Sequence, residues 1–389
     1  MPPLSYPRPV RVFSQDLSRD QRSFAVATGL SSGEEATPAL AAAAVQQALR
    51  RAGRTCANSV LLFLTPDFAR HAQAAVTAVS HAANCLQVAG ACVPGVLTET
   101  DWLLDRPGAA ALVLCGDLPA EVGGDDVATV SLAHPEAVSP AWLAASPLRC
   151  GGVSTDAGTL RAGRVWNNAK VGVPGECSIT LAASRTRIGI SRGILPIGAI
   201  AAAVSEGYEL LSLSGVPALA ALRRALPDIH LHGPLPIHQV CAGVLDADDP
   251  GESAAAIAAG RYQLVPVIAV NAESGSLTMA AQIADGRRVF WALRNPDTAQ
   301  RDMDGVLAEL ASADAPPSFA LMFSCMGRGP YFYGGDDSDL DLFRSRFPGV
   351  PLLGAYCAGE IAPLPSGNAL IHNGVVLALY DRIDVQSDA

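Results

Sequence analysis

A chain of 389 residues that is 50% hydrophobic and only 16% charged can bury a full core, in two domains or one two-lobed body. Its net charge of −10, with no basic cluster to offset it, argues against nonspecific nucleic-acid or anionic-membrane binding. Nine cysteines, an odd number without CxxC spacing, argue against a disulfide framework or structural zinc site and read as reduced, mostly buried thiols.

The first residues, Met1-Pro2-Pro3-Leu4-Ser5, lack the apolar core of a secretory leader, and residues 1–24 read as a tail or edge. The longest apolar stretch, 193–204, is interrupted by Pro196 and too short to span a bilayer. A cytoplasmic location without membrane insertion is the expectation. Residues 24–29 predict a strand. Thr37 as N-cap, Pro38 at the first position and Gly53 as stop delimit an Ala-rich helix. Residues 59–65 predict an apolar strand, 68–83 a helix, and 86–92 and 110–115 further strands. This βαβ alternation indicates a mainly parallel sheet.

Segments 117–126 and 167–175 are loop-rich, while 178–182 and 187–190 read as strands. Residues 207–213 lead to a helix that opens at Pro217 and ends near Leu226. The stretch 227–236 then reads as a linker between a domain at 25–226 and another at 237–389. In the second, 264–270 predicts a strand, and 277–283 and 288–293 flank Asp285-Gly286. That dipeptide signals a hairpin, because a type I′ turn needs positive φ at both positions. Asn295-Pro296 caps a helix to Ala311, followed by strand 319–323, helix 338–347, and strands 350–356 and 374–380. The expected fold class is α/β: two related lobes of mixed, mainly parallel sheet with flanking helices, and a crevice at the strand C-terminal ends. An internal echo supports two related lobes, since 61–65, a helix and 86–97 parallel 321–325, a helix and 352–361.

Two segments carry most of the functional signal. Ser324-Cys325-Met326-Gly327-Arg328-Gly329 and Gly354-Ala355-Tyr356-Cys357-Ala358-Gly359-Glu360 each end an apolar run with a cysteine, small residues and one charge. At strand C-terminal ends such loops face a ligand crevice. Arg328 either clamps a carboxylate or phosphate bidentately, with Gly327 and Gly329 exposing backbone amides, or ties loops to Glu360 or to carbonyls. Glu360, beside Gly359, either binds a ligand amine or holds Arg328. Cys325 is either a thiol of lowered pKa, served by His372 or Glu360 as base, or a packing residue. Asn295 reads as an N-cap and Arg294 reaches toward the same crevice. Ser191 and Arg192 line its mouth, or belong to a loop crossing between the lobes.

His230, His232 and His238 invite a metal reading, but only Cys241 stands near them at ligand spacing, so no metal site is assigned. Gly334-Gly335-Asp336-Asp337 lacks a Walker lysine and EF-hand spacing, and no GxGxxG follows the first strand. No cofactor is implied.

The segment Ile190-Ser191-Arg192-Gly193-Ile194-Leu195-Pro196-Ile197-Gly198 resembles the Ser-Gln-Gly-x-x-Pro-x-Gly segment of the FIST family of signal-transduction proteins, with Arg192 in place of the usual Gln. Strand 289–295, Cys325-Met326-Gly327-Arg328-Gly329 and Gly354 to Ile361 with Leu370-Ile371-His372 resemble that family's later motifs in the same order. Cys150-Gly151-Gly152-Val153 and Val88-Ala89-Gly90-Ala91-Cys92 resemble strands of its N-terminal domain. The resemblance implies a sensory or signalling module for small molecules such as amino acids. The expected function is a cytosolic sensor, not an enzyme, that binds an anionic or zwitterionic molecule between lobes and relays to a separate signalling protein. A Cys-dependent enzyme and a ligand-free interaction scaffold are the alternatives.

Overall fold

The structure, a computed structural model, describes residues 23–381 apart from 117–125, 155–163, 173–174, 182, 184, 228–234, 247–249 and 314–315. A first unit runs β1 (Ala25–Ser32), α1 (Pro38–Ala52), β2 (Ser59–Leu64), α2 (Ala72–Ala83), β3 (Val88–Cys92), the hairpin β4 (Gly95–Thr98) and β5 (Trp102–Leu104), and β6 (Gly108–Cys115). Helix α1 forms where its signals predict: Thr37 accepts a hydrogen bond from the Leu40 amide, and Gly53 closes the last turn in the left-handed region. There follow β7 (Thr129–Ala133), α3 (Pro140–Ala144), β8 (Arg149–Val153), β9 (Val165–Asn167), β10 (Lys170–Val171) and β11 (Glu176–Thr180).

Strand β12 (Thr186–Ser191) opens a second unit, interrupted at once by a barrel. The barrel comprises β13 (Ile194–Glu206), β14 (Glu209–Leu213), β15 (Val216–Pro217), α4 (Ala218–Ala225), β16 (Val240–Leu245), α5 (Ser253–Ala258), β17 (Tyr262–Asn271), β18 (Ser276–Met279) and β19 (Arg288–Arg294). The second unit resumes with α6 (Pro296–Leu310), β20 (Phe319–Cys325), α7 (Pro330–Tyr333), α8 (Ser338–Arg346) and β21 (Leu352–Cys357). The hairpin β22 (Glu360–Leu364) and β23 (Gly367–Ile371), then β24 (Val375–Tyr380), complete it.

The sheet of the first unit has the order β1-β6-β2-β3-β9-β10, and that of the second β12-β24-β20-β21-β4-β5. The two orders correspond position by position, each with one central parallel pair (β2–β3, β20–β21) and antiparallel neighbours. The sequence echo is therefore visible as a shared topology. The hairpin β4–β5 leaves its own unit and pairs with β21 of the other. A further sheet, β11-β7-β8-β22-β23, holds the parallel pair β7–β8. Among the described residues these three pairings are the only parallel ones, which corrects the expectation of mainly parallel sheets. The physical reason is that strands buried on both faces read as continuous apolar runs in either orientation, so the runs could not show direction.

The two unit sheets pack face to face around Phe63 and Phe323, which meet edge to face at 6.0 Å. Helices α1 and α2 cover the outer face of the first sheet, and α6 and α8 that of the second, giving four layers.

In the barrel, β13-β19-β16-β17-β18-β14 form an antiparallel ring closed by the β13–β14 pairing. Val240, Ala242, Val265, Val267, Val289 and Trp291 point inward on alternating positions, and α4 adds Ala218 and Leu222 to the same core. Residues 228–234 of the expected linker lie outside the described residues, and the elements on either side, α4 and β16, contribute to one core. One expectation is corrected here, that of the hairpin at Asp285-Gly286. Strands β18 and β19 are not a hairpin: β18 pairs with β17 and β14, β19 with β13 and β16. Gly286 does have positive φ, but Asp285 does not, so the type I′ condition fails. The apolar stretch 193–204 lies mostly in the long strand β13, with much of one face exposed.

Candidate functional site

The end of β20 delivers Arg328 into the interior, not into a crevice. Its side chain is 2% exposed. Nε and Nη2 donate to the two carboxylate oxygens of Asp339, each at 3.0 Å, and Nη2 also donates to Ser191 Oγ (2.8 Å) and the Ala299 carbonyl (3.0 Å). Nε reaches the Tyr333 hydroxyl at 3.1 Å, and that hydroxyl bonds Asp339. Burial opposes the guanidinium charge, but Asp339 and Tyr333 outweigh it and hold Arg328 above its ordinary pKa. Ser191 closes the network by donating to Asp302 (2.6 Å), whose carboxylate also accepts from the Arg192 and Gly193 amides. Gly193 has φ 59°, and a methyl group there would overlap the Arg328 guanidinium, so glycine is required on both counts.

Glu360 does not pair with Arg328: no ion pair joins them among the described residues. It is fully buried, and neither carboxyl oxygen has a hydrogen bond of normal geometry. Burial pushes its carboxyl well above the usual range. The Gly374 amide and Cys325 thiol beside it, with the Arg328 and Arg192 charges, offset only part. Cys325 is buried, and burial together with Glu360 pushes its thiol up to about 12, the opposite of an activated nucleophile. Gly327 is crowded by Asn373 and Arg294, Gly329 by the Tyr356 ring, and Gly359 by His372. Arg294 lies over the Phe332 ring and donates to the His238 and Gly327 carbonyls. Asn295 caps α6 through the Thr298 amide, as predicted. Of the histidine cluster, His230 and His232 lie outside the described residues. Among those described, no group of three His, Cys, Asp or Glu is placed to hold a metal.

The accessible space lies elsewhere. A cavity of about 760 Å³ opens between the barrel, at Asp246 and Tyr262 to Leu264, and the edge strand β23 with residues 140–147 and His372. A second, of about 310 Å³, lies between β13, the 257–260 turn and Pro363 to Pro365. Arg192 is in the wall of both. Its side chain is 8% exposed and lies against the Tyr262 ring at 4.7 Å. It donates to the Tyr262 and Gly260 carbonyls at 3.3 and 2.9 Å, and no carboxylate pairs with it among the described residues. Burial lowers its pKa, though a guanidinium stays charged. Three of its five N–H donors make no hydrogen bond among the described residues. His372, pushed down by burial, adds a neutral imidazole to the cavity.

Sequence reasoning thus separates into two places. Arg328, Ser191, Gly327 and Gly329 belong to a sealed network, and Glu360 and Gly359 to the packed interior beside it. Arg192, singled out as a departure from the Gln of the resembled motif, faces the open space. Asp339, Asp302, Tyr262 and Asp246 carried no local signal, because each matters through a partner distant in the chain.

Among the described residues no helix is long and apolar enough to cross a membrane. An uncharacterized protein of Mycobacterium tuberculosis (strain ATCC 25618 / H37Rv) is 26% identical over 222 residues. An uncharacterized protein of Mycobacterium bovis is 27% identical over 224 residues. Each alignment covers 56% of this chain and 56% of the relative, so the chain spans about half the length of the curated relatives it matches. Residues 200–363 match the FIST C domain, a segment that takes in most of the barrel and the second unit as far as β22.

Proposed function

We propose that the protein is a small-ligand sensor whose ligand, a small carboxylate or amino acid, occupies the cavity between barrel and β23 and is anchored by Arg192. One contrast carries this reading. Two buried arginines lie close in the fold; Arg328 is neutralised by Asp339, whereas Arg192 has only carbonyls and a ring face. A buried guanidinium that hydrogen-bonds only carbonyls, with Asp246, Glu360 and Asp302 acting on it from beyond hydrogen-bond contact, favours an anion in the cavity whose wall it forms. Asp246 on the same cavity would take the amine of a zwitterion. The FIST C match, a domain associated with signal transduction and small-ligand sensing, agrees with the class. Because the cavity is walled by barrel and layered body together, occupancy would tighten their contact and alter the surface offered to a separate signalling protein. The alternative of a Cys325 nucleophile has less support, since its thiol is buried and pushed up.

The test is a thermal-shift screen with amino acids and dicarboxylates, followed by titration calorimetry. A ligand at a hundredfold its Kd adds about 2.7 kcal/mol of stability. Arg192→Gln should abolish the response; an unchanged response in that variant removes the reading.

A further inference from the structure

A different opening in the barrel wall carries a second site. Strand β13 pairs with β19 through Ile197↔Trp291 and again from Ala201↔Val289, leaving Gly198, Ala199 and Ile200 to bulge from the ladder. Gly198 has φ 68°, and a β-carbon there would stand 2.7 Å from the Ala225 methyl of α4, so glycine lets strand and helix touch at this point. Beside that contact lies a cavity of about 310 Å³ walled by Ile200, Leu213, Val216, Ala221 and Trp291.

Two donors at this mostly apolar place, one buried and one exposed, make no hydrogen bond among the described residues. Trp291 is 1% exposed, and its indole Nε1 has no hydrogen-bond acceptor. A buried donor left unmade is costly, and native interiors rarely leave one without a reason. The pyrrole edge carrying that N–H faces the wall: Cδ1, its bonded neighbour, is 3.9 Å from the β-carbon position of Gly198, which also lines the cavity. Arg224, next to Ala225 in the last turn of α4, lines the same cavity and makes no ion pair or hydrogen bond among the described residues.

We infer that this opening binds a small apolar monocarboxylate, its head group accepting from Trp291 Nε1 and Arg224 and its hydrocarbon lying along Ile200, Leu213 and Val216. Charge selects the acid, and the apolar wall selects the chain over a polar metabolite. The site is separate from the cavity at Arg192 and does not depend on the function proposed for it.

The probe is octanoate, with 1-octanol as the neutral comparison, on the full chain. In a ¹H–¹⁵N spectrum the indole N–H of Trp291, assigned by its loss in Trp291→Phe, should move on titration with octanoate. Arg224→Gln should weaken octanoate about threefold and leave 1-octanol unchanged, as for a rim charge. Ala221→Leu, which fills the cavity from an existing helix, should abolish both, while Arg192→Gln should alter neither. An indole signal that stays fixed under octanoate, or binding that survives Ala221→Leu, overturns the site. Loss of octanoate binding in Arg192→Gln places the acid in the larger cavity and overturns it equally.

Discussion

Arg328 and Asp339 face each other through two parallel hydrogen bonds of 3.0 Å, with 2% and 1% of their side chains exposed. A pair so buried is expensive to halve, because the surviving charge loses its partner in a medium that cannot solvate it. Asp339→Asn should therefore cost about 3–5 kcal/mol, read as a shifted urea midpoint with an unchanged slope. Arg192→Gln removes a guanidinium that is nearly as buried but has no carboxylate in hydrogen-bond contact, and should stay within about 1 kcal/mol of the parent. Equal losses in the two variants would contradict the distinction between a structural and a ligand-facing arginine.

The pH dependence of stability should be led by raised carboxyls. Burial, with Asp339 nearby, lifts Asp337 from 3.8 to about 6 despite the hydrogen bonds it accepts from Tyr356 and the Leu340 amide. A carboxyl raised in the folded state binds its proton more tightly there. Its contribution is complete below pH 3.8 and is lost as pH rises from 3.8 through about 6, a loss of about 3 kcal/mol. Asp337→Asn keeps the acceptor for the Leu340 amide and turns its own NH2 toward the Tyr356 hydroxyl as donor. It should lack that decline, measured as urea midpoints from pH 4 to 6.5.

Glu360 extends the same logic upward. Its carboxyl is held well above 4.5 by complete burial, so its contribution to stability is complete below 4.5 and is lost as pH rises through the raised value. Glu360→Gln mimics the protonated group. It should fold as well as the parent at pH 5 and outlast it at pH 9 in thermal melts. A parallel pH profile for the two proteins would show that the carboxyl ionises without penalty.

Glu99, directly after the first strand of the exchanged hairpin, ties the two units together. Its carboxylate accepts from Thr28 (2.7 Å) and Arg51 (3.3 Å) of the first unit and from the Leu352 amide (3.0 Å) of the second. Its carbonyl accepts from Arg344 at 2.7 Å. Glu99→Ala should cost about 2–3 kcal/mol by stranding the Thr28 and Leu352 donors, a loss read from the urea midpoint.

Local chemistry was legible in the chain. Thr37, Pro38 and Gly53 bound α1, and Asn295 starts α6, because caps act over three or four residues. Relations between distant segments were not. Residues 240–245 form a central barrel strand, yet their run VCAGVL carries no direction and no partner. Asp285-Gly286 read as a hairpin because its turn chemistry is local, while the pairing of β18 with β14 depends on residues some seventy positions earlier. Likewise Arg328 looked ligand-facing between two glycines. Only the fold reveals Asp339, eleven residues on, turned back beneath it. The repeated unit was readable as an echo, whereas the exchange of β4–β5 was not, since a hairpin's sequence is the same whichever sheet receives it.

Thiol reactivity separates the sensor reading from the enzyme alternative. Cys56 is exposed and Cys85 half-buried, whereas Cys92, Cys115, Cys150, Cys177, Cys241, Cys325 and Cys357 are buried. Alkylation proceeds through the thiolate and needs access, and burial raises Cys325 to about 12. Iodoacetamide at pH 7.5 should modify Cys56 first and Cys85 more slowly, with Cys325 protected until the fold opens. Peptide mass spectrometry over time reads the order. Rapid labelling of Cys325 with an apparent pKa near 7 would restore the nucleophile, and with it the case for covalent chemistry at the end of β20.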